Sequence, residues 1–358
     1  MSKIPISVCI IAKNEEKYIE GCLQKLLPYG FEIVVADTGS TDRTKEIAAK
    51  YTDKVVDFVW IDDFAAARNF CASQASNNWI LSLDCDEYVE QIDVQALRII
   101  MQKFLRYTGI IRLKNLVYTE TGGKRYTNDD VTRFYNKNFF HYEGAIHEQL
   151  RPRNPKVSRE SMPSVILPVE VLHYGYLISE EEMKEKQLRN LRMLYVALEK
   201  DPDNPYLHFQ IGQSQFIIGN NEAACASYEK GLSYDVSPDT MYVEIMIESL
   251  ATAYVHSGRY ADAQTLMEKY QNQCHTAKYA YVMANVYMDN DQPMKGLLYY
   301  LKTVSMDDVE SLGEGLLISY KNIIDIYAQM GDEKMAALFL DKYESCVTER
   351  NRILADAN

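Results

Sequence analysis

The chain has 358 residues, 47% of them hydrophobic, with a formal net charge of -13 and seven cysteines. A single core rarely grows past roughly 250–300 residues, so two domains are expected. The acidic balance excludes a general nucleic-acid-binding surface, which needs basic residues to neutralise phosphates, and no apolar run approaches the roughly 18–20 residues of a membrane span.

The opening MSKIPISVCIIAKNEE has an apolar run too short for the core of a signal peptide, and a cytoplasmic location is expected. The cysteines (Cys9, Cys22, Cys71, Cys85, Cys225, Cys274 and Cys346) are odd in number and form no C-x-x-C pair. Buried thiols are expected rather than a disulfide framework or a structural zinc site.

Ile4–Ile11 is a continuous apolar run rich in β-branched residues, as in a strand buried on both faces. Asn14 and Glu15 are placed to start a helix. Its apolar residues Tyr18, Ile19, Cys22, Leu23, Leu26 and Leu27 recur at helical spacing, and Pro28 and Gly30 end it. A second strand, Glu32–Ala36, leads into the polar loop Asp37–Asp42, where Thr41 or Asp42 can cap a helix running to about Lys50. Lys54–Val59 reads as a third strand, Phe64 to Gln74 as a helix, and Trp79–Leu83 as a fourth strand ending at Asp84. This βαβαβαβ order predicts a mostly parallel, Rossmann-like sheet with right-handed crossovers. Further strands are expected at Gly109–Tyr118, Thr132–Tyr135 and Ser164–His173, separated by polar loops.

From Ser179 the pattern becomes helical, with Ser179 and Glu182 at capping-box spacing. Four stretches then share one order of small residue, aromatic, turn and alanines: HFQIGQSQFIIGNNEAACASYEKGL, LATAYVHSGRYADAQTLMEKY, VMANVYMDNDQPMKGLLYYLKTV and NIIDIYAQMGDEKMAALFLDKY. Their turn positions Gly219, Gly258, Asp291 and Gly331 recur every 33–40 residues or so, the range of helical-repeat arrays. These units resemble tetratricopeptide repeats, which stack because each leaves an apolar face for its neighbour to cover. The expected organisation is an α/β domain over residues 1–178, a connecting helix over 179–204, and all-α repeats over 205–358.

The strongest chemical signal is LSLDCDEY, with Asp84 and Asp86 just past a strand. Ligands of open α/β sheets bind beyond the carboxyl ends of strands. Two acids there can hold a hard divalent cation that neutralises a diphosphate, or can simply form a solvated turn. Three other segments bear on the choice: ISVCIIAKNEE at the first strand, VVADTGSTDRT after the second, and FAAARN before the strand leading to Asp84. In this order and spacing the four segments resemble glycosyltransferase family 2 enzymes of the GT-A fold, over about residues 4–175.

The resemblance implies a donor site for a nucleotide-sugar. Ala12, Asn14 and Glu15 would line the nucleotide pocket. Asp37 would accept from the base, most readily the N–H of uracil, because a carboxylate is an acceptor only. Arg68 would approach the diphosphate or hold the Asp84 loop, and Asp84 would contact the sugar or ribose. Asp86 would bind Mn²⁺ or Mg²⁺, with His173 as a further ligand and His147 as the alternative. Glu148, in YEGAIHEQL, is the candidate base for the acceptor proton; Asp129 and Asp130 are rivals, and Arg133 could bind phosphate or pair with them. Each position also has a purely structural reading: Asn14 and Glu15 as helix caps, Asp37 in an Asx-turn before Gly39, Arg68 paired with Asp62 or Asp63.

The run Phe58–Asn69 and the segments around His147 and His173 narrow the resemblance to a branch that glycosylates lipopolysaccharide core or, like the sublancin S-glycosyltransferase, peptides. The repeats favour a peptide or protein acceptor over a glycan, since such arrays offer extended concave surfaces; they could also mediate a homodimer. A scaffold with a degenerate nucleotide-binding domain is the non-catalytic alternative. No G-x-G-x-x-G follows the first strand, which counts against a dinucleotide oxidoreductase.

Overall fold

The computed structural model describes residues 4–118, 124–157, 162–175 and 178–356. The chain divides into two compact units, Met1–Ser179 and Glu180–Asn358, and the helix expected as a connector lies within the second.

The first unit opens with β1 (Ile6–Ala12), α1 (Ile19–Leu26), β2 (Glu32–Asp37), α2 (Thr44–Ala48), β3 (Val55–Asp57), α3 (Phe64–Gln74) and β4 (Trp79–Leu83). These four strands pair in parallel in the order β3-β2-β1-β4. Alternation along β1 builds a core on each face of the sheet. Ile6, Val8 and Ile10 pack with Ile19, Leu23 and Leu26 of α1. Cys9 faces the other way, toward Cys71 and Ala72 of α3. A strand covered on both faces has no use for a polar alternation, which is why β1 reads as one apolar run.

The sheet continues with β5 (Glu87–Ile92), α4 (Val94–Lys103), β6 (Thr108–Tyr118), β7 (Lys124–Asn136) and β10 (Ser164–His173), and a separate hairpin pairs β8 (Phe140–Glu143) with β9 (Gln149–Pro152). Among the described residues the large sheet has eight strands, ordered β3-β2-β1-β4-β7-β6-β10-β5. β7 is antiparallel to β4 and β6, β10 is parallel to β6, and β5 closes the edge antiparallel to β10. The order reverses at β1, which has β2 on one side and β4 on the other. That is a topological switch point, where the ends of the strands open a crevice.

Three local features differ from the sequence expectation. α1 begins at Ile19 rather than at Asn14. Asn14 sits in the left-handed region (φ 56), and its side chain accepts from Thr41 of the β2–α2 loop, so it braces two loops instead of capping a helix. β3 covers only Val55–Asp57, its last residue paired with Asp37 at the end of β2. β7 is thirteen residues long rather than four, because even its polar TNDD stretch pairs along β6.

The second unit is all helical: α5 (Glu180–Lys200), then α6 (Pro205–Ile217) with α7 (Asn221–Leu232), α8 (Met241–His256) with α9 (Tyr260–Tyr270), α10 (Ala277–Asp289) with α11 (Pro293–Thr303), and α12 (Glu314–Gln329) with α13 (Glu333–Asp356). Each pair is a tetratricopeptide-like helical hairpin. The turns place Gly219, Gly258, Asp291 and Gly331 in the left-handed region, the conformation that ends helices in αL caps and that glycine adopts without strain. Gly212 lets α6 approach Tyr228 of α7 so closely that a Cβ there would collide with the ring. Tyr228, Met246, Ile247, Ala263 and Met283 form a continuous core from one hairpin to the next.

Candidate active site

The expected site residues of the first unit gather where β1, β2 and β4 end. Ala12 closes β1, and its carbonyl accepts from the Thr38 N–H at 2.8 Å and the Thr38 hydroxyl at 3.1 Å. Asn14 Oδ1 accepts from the Thr41 N–H at 2.8 Å, and the Glu15 N–H donates to Thr44 Oγ1 at 2.7 Å. Asp37 closes β2 and is 4% exposed. Its Oδ1 accepts from the Gly39 and Ser40 N–H groups, both at 3.0 Å, while its Oδ2 is buried with no hydrogen-bond partner among the described residues. The Asx-turn therefore uses one oxygen; an unmet buried acceptor costs about 1–3 kcal/mol, more when charged.

Asp84 follows β4 at the centre of a buried ion network. Arg68, 6% exposed on α3, donates from Nη2 to Asp84 Oδ1 at 2.8 Å, from Nη1 to Ser82 Oγ at 3.0 Å and from Nε to Glu148 Oε1 at 2.5 Å. Its guanidinium lies over the Tyr142 ring, 5.6 Å from the centroid. Arg133 on β7 donates to Asp84 Oδ2 at 2.8 Å and Glu87 Oε1 at 2.9 Å. Burial alone would raise the Asp84 pKa, but the charges of Arg133 and Arg68 outweigh it and hold this carboxyl well below the usual range. Glu87, 1% exposed, goes the other way: burial raises it, with Asp84 and Asp86 adding to the rise against the pull of Arg133. Arg68 thus pairs with Asp84 and not with Asp62 or Asp63, which instead accept from Trp60 Nε1 and cap α3 through the Ala66 N–H. Arg133 pairs with Asp84 and Glu87; Asp130 pairs with Arg112.

Asp86 lies just before β5 and His173 ends β10, with His173 Nε2 3.5 Å from Asp86 Oδ2. Gly175 closes over the pair, and a Cβ there would collide with both atoms. Burial disfavours the imidazolium, yet the hydrogen bond and charge of Asp86 raise the His173 pKa above its ordinary value. A proton or a metal ion between a carboxylate oxygen and an imidazole nitrogen this close favours their approach. The oxygen and nitrogen donors suit a divalent cation. Among the described residues no group of three His, Cys, Asp or Glu side chains is placed to hold an ion. An ion held by this pair would need ligand oxygens or water to complete its coordination.

His147 lies in the loop between β8 and β9, with a left-handed backbone (φ 52) and a pKa lowered by burial. Asp129 on β7 accepts from Asn115 Nδ2 at 2.6 Å. The sequence reading missed Glu87 and Asn115. Asn115 Oδ1 lies 2.7 Å from His173 Nδ1, and cross-strand register alone brings it there.

The fold and the strand-end site define an α/β domain of the GT-A type. Residues 7–152 match the glycosyl transferase family 2 model. That match lies within the N-terminal unit, which is followed by tetratricopeptide-like repeats. The chain is 27% identical to the SPbeta prophage-derived glycosyltransferase SunS of Bacillus subtilis over 267 residues, which is 73% of this chain and 61% of that protein. It is 27% identical to a TPR repeat-containing protein of Synechococcus elongatus over 63% of this chain and 56% of that one. It is also 27% identical to the lipopolysaccharide core biosynthesis glycosyltransferase LpsC of Rhizobium meliloti over 53% of this chain and 71% of that one. The chain thus spans about three fifths of the length of the first two relatives. No described helix is long and apolar enough to cross a membrane.

Proposed function

We propose that this protein is a metal-dependent, inverting glycosyltransferase that moves a sugar from a UDP-sugar to a side chain of a peptide or protein in the cytoplasm. The observation that carries the donor reading is Asp37 Oδ2, a buried carboxylate oxygen at the end of β2 with no partner among the described residues. An N–H on the base edge is the donor it lacks, and uracil offers one. Ala12, Asn14 and Glu15 would border the same nucleotide.

Asp86 and His173 would hold Mn²⁺ or Mg²⁺, which when bound neutralises charge on the departing diphosphate. The side chains do the rest. Asp84, fixed between two guanidiniums, would accept from hydroxyls of the ribose or sugar. The acceptor oxygen or sulfur would attack the anomeric carbon in line as the bond to the diphosphate oxygen breaks, which inverts that carbon. The acceptor proton would pass to Glu148, the carboxylate that reaches the network through Arg68. The repeats would present the acceptor chain, a role suited to a stacked array. The similarity to the lipopolysaccharide core biosynthesis glycosyltransferase LpsC supports a glycan acceptor as the second reading.

The test is a panel of UDP-sugars incubated with the full chain and Mn²⁺, scored for donor hydrolysis and for transfer to peptides. At least one donor should turn over, and Asp86→Ala should slow that turnover a hundredfold or more while leaving the circular dichroism spectrum unchanged. Undiminished turnover in the variant would remove Asp86 from the cation site.

A further inference from the structure

The register of the edge strands places Asn115 of β6, His173 of β10 and Glu87 of β5 side by side in one row. Asp129 of β7 lies one diagonal step from Asn115, since Asn115 is opposite Thr127. Two hydrogen bonds run along this arrangement. Asn115 Nδ2 meets Asp129 Oδ2 at 2.6 Å, and Asn115 Oδ1 meets His173 Nδ1 at 2.7 Å. Asn115 itself is 1% exposed, so its amide is settled by these neighbours rather than by bulk water.

The direction of each bond follows from one fixed end. An ionised carboxylate can only accept, so Asn115 must turn its NH₂ toward Asp129. The amide oxygen is then the atom that faces the imidazole, and it too can only accept. His173 must therefore carry a proton on Nδ1. The flipped amide would set its oxygen against the Asp129 carboxylate, two acceptors at hydrogen-bonding distance. In the neutral ring the lone pair is left on Nε2, the nitrogen beside Asp86.

We propose that Asn115 and Asp129 are positioning residues that lock His173 in its Nδ1-protonated tautomer, so that Nε2 is the nitrogen offered with Asp86 to a divalent cation. The proposal rests on the cation reading of the Asp86–His173 pair. It gives Asp129 a supporting role in that site instead of the role of base. Partners of this kind commonly change metal affinity by about 10–100-fold when removed, because they set ring orientation and basicity.

The test begins without metal. Protein labelled with ¹⁵N-histidine is examined by NMR above the pH of the imidazole transition, with His173 assigned from its loss in His173→Gln. Wild type should show Nδ1 protonated and Nε2 bare. Asn115→Leu should shift His173 toward the other tautomer, and Asp129→Asn should give a mixture, since the amide of Asn115 is then free to turn. The exchange Asn115→Asp with Asp129→Asn restores an acceptor facing Nδ1 and a donor behind it, and should return the wild-type pattern. Mn²⁺ titration in the presence of UDP, followed by the electron spin resonance of free Mn²⁺, should show affinity about tenfold or more weaker in Asn115→Leu and recovery in the exchange variant. An Nε2-protonated His173 in the wild type, or a tautomer and Mn²⁺ affinity indifferent to these changes, would overturn the proposal. Failure of wild type to bind Mn²⁺ at all would instead sink the cation reading, whatever the tautomer proves to be.

Discussion

Asp84 shows how a half-buried carboxylate is held ionised. Taking one charge out of water is costly, and two guanidiniums offset that cost only because both oxygens of Asp84 are bonded, one to Arg68 and the other to Arg133. The same physics makes the network fragile. Arg133→Met leaves the buried Glu87 without its guanidinium and removes one of two from the half-buried Asp84, and should lower stability by about 3–5 kcal/mol, the range for breaking one side of a buried pair. Urea unfolding of the variant measures this; a midpoint equal to wild type would mean that water replaces the guanidinium without loss. Sequence shows some of these residues and hides others for a definite reason. Asp37, Asp84 and Asp86 advertise themselves because they follow apolar strands, at the ends where ligands of open α/β sheets bind. Glu87 and Asn115 look like ordinary strand residues, and their place beside Arg133 and His173 depends on which strands become neighbours.

At the scale of elements, apolar runs and turn residues make the parallel half of the sheet and the helical hairpins readable, because period and punctuation are local. β5 and α4 went unassigned. EYVEQI mixes polar and apolar residues at a sheet edge, and its strand character comes from pairing with β10, some eighty residues later. A polar residue on a repeat helix illustrates an effect that period alone does not show. Glu248 on α8 is buried; burial first, and then the nearby charge of Glu244, raises its pKa from 4.5 to about 7, against the pull of Lys278 and a hydrogen bond from Thr276. A carboxyl with a raised folded-state value is protonated more readily in the native state than in the unfolded one. Its contribution to stability is present below the unfolded value and is lost as pH rises toward 7. Glu248→Gln, which mimics the neutral acid, should raise the melting temperature at pH 8 by a few degrees, as expected for about 1 kcal/mol. At pH 4, below both values, it should change little. An equal shift at both pH values would point to packing instead of ionisation.

At the scale of the whole molecule, two units of nearly equal length divide at Ser179, each with its own core. Strand-end chemistry is confined to the first, and the second contributes a repeated helical surface. Residues 1–179 produced alone should therefore fold with native-like circular dichroism and keep donor hydrolysis within a few-fold of the full chain. Transfer to a peptide acceptor should fall tenfold or more. Loss of hydrolysis by a folded fragment would make the repeats part of the catalytic core.

In the proposed function a nucleotide with a uracil edge binds between Asp37 and the Asp86–His173 pair with a divalent cation. Isothermal titration calorimetry with UDP, GDP and CMP, each with and without Mn²⁺, on wild type and Asp37→Ala, tests it most directly. The predicted result is Mn²⁺-dependent binding of UDP in preference to GDP and CMP, weakened tenfold or more in Asp37→Ala. Binding of none of the three, or UDP binding indifferent to both Mn²⁺ and Asp37, would contradict the account.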